Sequence, residues 1–201
     1  VNEGLSSVAY TLATLRGLFV ASEQVTRTEF SHYIEQVVIE RQGVSGFSWN
    51  QRVLHAGRAD YEAAHFYIKE KDSNGAFITA PERAEYIAIT YVEPWQQNAV
   101  ILGFDVASDP ERAEALQRAR DTGHFSMTEP LQLLQDEKVS PGVVVYFPVY
   151  RPASSTNSLL QRRESLLGYA TAIVRTNDLI KSVLRPFSSG DYQLHIVDVT
   201  D

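Results

Sequence analysis

The first forty residues carry apolar positions at a helical period. Leu5, Val8, Leu12, Leu15 and Phe19 are spaced three and four apart, which places them on one helix face as a heptad seam. Such a seam either packs on its own domain or joins two copies as a dimerising stalk. A second helix is expected from Thr26, because Thr26-x-x-Glu29 has the spacing of a capping box. Its apolar residues Phe30, Tyr33, Ile34, Val37 and Val38 share a face, and Gly43 can end it. Residues 2–42 therefore read as one long helix with a slight break, or as two helices in tandem.

The pattern then changes. Gly46 to Leu54 predicts a strand, and Arg58 to Lys71 a helix with Tyr61, Ala64, His65 and Ile68 inward. Residues 76–79 and 86–92 predict short strands. Asp109-Pro110 predicts a helix start, with Asp as cap and Pro at the first helical position, and Gly123 is placed to end that helix. Residues 131–134 and 142–149 read as strands, the second apolar enough to be central. Residues 151–163 are polar and loop-like, a boundary or a hairpin connection. A strand at 167–175, a short helix at 178–184 and a strand at 192–199 follow. This order predicts an α+β fold rather than a doubly wound parallel sheet.

Composition changes the picture mainly by exclusion. The 201 residues carry a net charge of −7, and their positive charges are scattered, so nucleic acid is not expected as a partner. There are no cysteines, which removes disulfides, thiolate catalysis and the common zinc sites. The longest apolar stretches fall short of the ~20 residues needed to span a bilayer. With a first residue of Val1, the expected reading is an excised fragment of a longer protein.

Chemical motifs are sparse. The sequence has no G-x-S-x-G elbow, no Walker A loop and no G-x-G-x-x-G. His32, His55, His65, His124 and His195 are dispersed, without H-x-x-x-H spacing. No catalytic residue, metal or cofactor is therefore expected. Asp105, Asp109 and Glu111 cluster, although helix capping accounts for the last two. Glu93-Pro94-Trp95 ends an apolar strand. A carboxylate and an indole there either grip a small ligand or form a turn, with Pro94 stopping the ladder and Trp95 covering a core edge.

Five segments in order resemble the CHASE domain family: GFSWNQRV (46–53), ERAEYIAITYVEPW (82–95), LGFDVASDPERAEALQRARDTG (102–123), MTEPLQLLQ (127–135) and GVVVYFPVYRP (142–152). The resemblance covers residues 30–175. It implies a long N-terminal stalk helix (1–42) followed by tandem PAS-like modules with mixed antiparallel sheets. The membrane-distal, ligand-binding module would be 43–150, and the C-terminal part of a membrane-proximal one 151–201.

The resemblance further implies an extracytoplasmic small-molecule sensor, periplasmic or extracellular, in a membrane-anchored receptor that dimerises through its stalk. The output would be a histidine kinase, diguanylate cyclase or phosphodiesterase. Plant cytokinin receptors of the family are taken to carry, in place of Glu93, an Asp that hydrogen-bonds an adenine-type ligand; Thr128 would support the pocket. The longer Glu93 side chain argues against cytokinin itself. The expected ligand contacts are Glu93, Trp95 and Thr128, with Tyr91 and Tyr146 as walls. The alternative is a module that binds a protein partner and no small molecule.

Overall fold

The computed structural model describes residues 2–37, 44–134 and 141–175, with side chains from Val8 onward. Two helices come first, α1 (Asn2–Ala21) and α2 (Arg27–Val37). Thr26 ends the link between them with the expected capping box: Glu29 Oε2 accepts from the Thr26 N–H at 2.8 Å, and Thr26 Oγ1 accepts from the Glu29 N–H at 3.3 Å. Thus the segment is two helices in tandem, and Val38 and Gly43 lie outside the described residues.

Strand β1 (Val44–Leu54) leads through a single 3-10 turn into α3 (Arg58–Ala64). Strands β2 (Lys69–Lys71) and β3 (Phe77–Thr79) form a small hairpin. The helix expected to reach Lys71 therefore stops seven residues early. The Asp72-Ser73-Asn74-Gly75 turn explains this, because Asp72 accepts from the Asn74 and Ala76 N–H groups and pulls the flanking residues into pairing. Next come β4 (Glu85–Glu93), a single-turn α4 (Trp95–Asn98) and α5 (Pro110–Thr122). Asp109 caps α5 at the N–H groups of Glu111 and Arg112, and Gly123 ends it at φ 80°, as expected. Two short strands, β5 (Ser126–Met127) and β6 (Leu131–Gln132), precede β7 (Pro141–Tyr150), α6 (Leu159–Ser165) and β8 (Leu166–Arg175).

One antiparallel sheet organises these elements in the order β4-β1-β8-β7-β5, with β6 also on β7. Strand β8 therefore sits at its centre, between β1 and β7. The boundary expected at 150/151 falls between β7 and β8, which are hydrogen-bonded neighbours in this sheet. The expected helix at 178–184 and strand at 192–199 lie outside the described residues.

Side chains alternate across the sheet. One face presents Phe47, Trp49, Val145, Val149, Ala170, Ala172 and Val174 to Val8, Leu12, Leu15 and Phe19 of α1 and to Phe30 and Ile34 of α2. The alanines at the sheet centre let α1 approach closely. The heptad seam is thus spent within the chain, with Leu12 and Leu15 fully buried. This corrects the reading of that face as a dimer stalk; Leu5 lies outside the described side chains. The opposite face packs Ile89, Val144, Tyr146, Tyr169 and Ile173 against Ala115, Leu116 and Ala119 of α5 and against Ile101, Phe104 and Val106. The free edge of β4 is closed by this last segment. Gly103 N–H donates to Ile89 O, Ile89 N–H to Phe104 O, and the buried Asp105 carboxylate accepts from Ile87 N–H.

Candidate functional site

A polar row crosses the second face. Ser48 on β1 stands opposite Thr171 on β8, Thr171 opposite Tyr146 on β7, and Tyr146 opposite Ser126 on β5. Cross-strand partners point to the same side, so the row runs over four strands inside an otherwise apolar layer, and all four residues are buried. Ser48 Oγ donates to Asn50 Oδ1 at 2.9 Å, and Asn50 Nδ2 donates to Thr171 Oγ1 at 3.0 Å. Ser126 Oγ accepts from Arg118 Nε at 2.9 Å.

The Tyr146 hydroxyl is the exception. It is fully buried and has no hydrogen-bond partner among the described residues. Burial pushes its acidity far above the ordinary tyrosine value, so it is a neutral O–H. A buried hydroxyl without a partner costs about 1–3 kcal/mol, and such a group in a native core calls for an explanation. Beside it a cavity of about 20 Å³ is lined by Asn50, Arg112, Val144, Tyr146 and Thr171, room for about one water. Arg112 is itself buried, ion-paired to Asp109 and donating to Gln132 O.

The five residues expected to meet a ligand do not share one cavity. Tyr146 belongs to the polar row. Thr128 clamps the sheet edge beside it: its N–H donates to Val144 O, and its Oγ1 accepts from Val144 N–H, both at 3.0 Å. Tyr91 and Glu93 pair with Trp49 and Phe47, and so lie on the α1 face. Tyr91 donates through its hydroxyl to Val25 O at 3.0 Å. Both Glu93 oxygens are occupied, Oε1 by the Ser31 hydroxyl of α2 and Oε2 by the Trp95 N–H at 2.9 Å. The Trp95 ring carries the Arg27 guanidinium on its face. Glu93-Pro94-Trp95 is therefore a turn that fastens α2 to the end of β4.

Sequence reasoning missed the row. Its signal was present as Ser48 and Asn50 at alternate strand positions and as Thr171 between two alanines. Among the described residues no group of three or more His, Asp or Glu is placed to hold a metal, and no helix is long and apolar enough to cross a membrane.

A helix pair on one face of an antiparallel sheet and a buried polar row on the other make the chain an α+β module. The chain belongs to the CHASE domain family, whose model matches residues 23–201. It is an extracytoplasmic sensor domain of the kind carried by signalling receptors. It is 28% identical over 174 residues to probable histidine kinase 4 of Oryza sativa subsp. japonica, covering 86% of this chain and 16% of that protein. It is 24% identical over 192 residues to histidine kinase 3 of Arabidopsis thaliana, covering 88% of this chain and 18% of that one. The chain thus spans less than a fifth of the curated relatives it matches. Among solved structures, the ligand-binding domain of the Pseudomonas aeruginosa amino-acid chemoreceptor PctC, in complex with GABA, aligns with a TM-score of 0.49 at 14% identity, covering 92% of this chain and 59% of that one.

Proposed function

We propose that this domain senses a small polar molecule for a membrane-anchored receptor, and that the ligand lies over the polar row. The unpartnered hydroxyl of Tyr146 carries the reading: it offers a buried hydrogen bond at the centre of a sheet face lined by amide, hydroxyl and guanidinium groups. A ligand larger than one water requires Leu133 and Leu134, which line the same cavity, to move outward. Occupancy would then be coupled to a change in the wall of the site, which is what a sensor needs.

Transmission would run through the wall. Ile101 and Val106 line the cavity, and their segment is joined to α2 through Trp95 and Glu93. We place the homodimer contact on the exposed side of α1, where Tyr10, Ala13, Gly17 and Val20 repeat at spacings of three and four. The parent protein would carry the output, a histidine kinase or a cyclic-dinucleotide enzyme, on the far side of the membrane.

Calorimetric titration with small polar metabolites tests the site. A hit whose affinity falls about tenfold or more in Tyr146→Phe supports it, since one hydrogen bond in a dry site is worth about that factor. An affinity unchanged by Tyr146→Phe would remove the row from ligand recognition. The protein-partner alternative rests on no comparable feature of the described residues.

A further inference from the structure

On the α1 side of the sheet a groove of about 510 Å³ opens where α1 ends, a volume within the range of small-molecule sites. Its floor is the Phe19 and Trp49 rings, stacked at 3.9 Å between centroids, extended by Leu54, Leu166 and Leu167. Gly168 allows that floor, because a Cβ there would stand 2.9 Å from the Trp49 ring and 2.3 Å from Asn50 O. Tyr91 and His65 form one wall, at 6.0 Å in an edge contact.

Above this apolar floor the polar groups are of three kinds. Gln51 lies two residues from Trp49 on β1 and so on the same face. Its amide has no hydrogen-bond partner among the described residues, whereas the other side chains of this face that pack on α1 are apolar. Glu23 and Glu164 bring two carboxylates and Arg151 a guanidinium, none of them in an ion pair among the described residues. Arg52, in contrast, is committed to Glu85 at 2.6 Å.

We propose that this groove is a second binding site, for an α-amino acid with an apolar side chain. The apolar side chain would lie on the Phe19–Trp49 floor. The carboxylate would be held by Arg151 and the Gln51 amide, and the ammonium by Glu23 and Glu164. A ligand with only one of the two charges would leave the opposite set unanswered. The groove is walled by the 22–26 link between α1 and α2 as well as by α6 and β8, so occupancy would tie the helix pair to the sheet. This site shares no residue with the polar row.

The test is calorimetric titration of the protein with L-phenylalanine, with phenethylamine and 3-phenylpropionate as single-charge controls. The expected result is one saturable site for phenylalanine, with both controls bound about tenfold or more weakly, and a comparable loss in Arg151→Ala and in the Glu23→Gln/Glu164→Gln double variant. All of these positions are at the groove rim, so circular dichroism should be unchanged. No saturation by about 10 mM phenylalanine, a free energy weaker than that of a millimolar complex, overturns the proposal, as does affinity indifferent to Arg151→Ala. Affinity that falls in Tyr146→Phe and holds in Arg151→Ala places the ligand on the polar row, overturning the groove and sparing the sensor reading.

Discussion

The guanidinium of Arg27 lies over the Trp95 ring, 3.3 Å from its centroid. Arg27 is the first residue of α2 and Trp95 the first of α4, so the contact joins the helix pair to the segment that walls the polar row. A cation on an indole face is worth about 0.5–2 kcal/mol. In a double-mutant cycle of Arg27→Ala and Trp95→Leu, urea denaturation should return a coupling energy in that range. Additive losses would mean that the stack contributes nothing to holding α2.

Glu93 is the second half of the same fastening. Glu93→Ala leaves the Ser31 hydroxyl and the Trp95 N–H without their acceptor, and the expected loss is about 1–3 kcal/mol of unfolding free energy. Glu93→Gln retains one acceptor oxygen and should lose about half as much. A direct ligand contact would behave otherwise, lowering affinity while leaving the denaturation midpoint in place.

How much of this was legible in the sequence depends on which forces acted locally. The Thr26–Glu29 box and the Asp109–Gly123 helix were readable because cap and partner are three to fourteen residues apart. The Ser158–Gln161 box that starts α6 was equally local, but the polar run around it reads as loop. The choice between seam and stalk for Leu12 was not local, since only the sheet shows what its face meets. The site was harder still: Tyr91, Glu93 and Tyr146 were grouped by segment order, whereas the pleat sends the first two and the third to opposite faces. Register, which decides this, is a property of paired strands.

The burial of the seam leads to a labelling experiment, clean because the chain has no cysteine. Leu12 is fully buried and Tyr10 is 67% exposed. Leu12→Cys should resist thiol reagents until the protein unfolds, whereas Tyr10→Cys should react at once and form the inter-chain disulfide if the exposed stripe is the dimer contact. Leu12→Ala should cost about 2–5 kcal/mol, the range for emptying a core leucine site. Rapid labelling of Leu12→Cys would mean that α1 is not docked on the sheet in solution.

Acid should weaken the junction of α5 and α6. Asp121 accepts from Arg163 Nε at 3.0 Å and Nη2 at 2.6 Å and from Arg120 Nε at 2.7 Å. Hydrogen bonds from Arg163 lead the causes that hold its carboxyl well below the usual carboxylate range. With the folded pKa depressed, the contribution to stability is complete above the unfolded value near pH 4 and is lost as pH falls towards the folded one. Asp105 acts in the opposite sense, because burial raises its pKa despite the Ile87 and Ala107 N–H donors, so the melting curve of the native chain alone mixes the two. The difference in unfolding free energy between the native chain and Asp121→Asn cancels the Asp105 part. That difference should be flat from about pH 8 to pH 5 and shrink below about pH 4. Since a quarter of the Asp121 side chain is exposed, solvent screening keeps it to about 1 kcal/mol or less. A difference that grows on acidification would contradict the ion-paired geometry of Asp121.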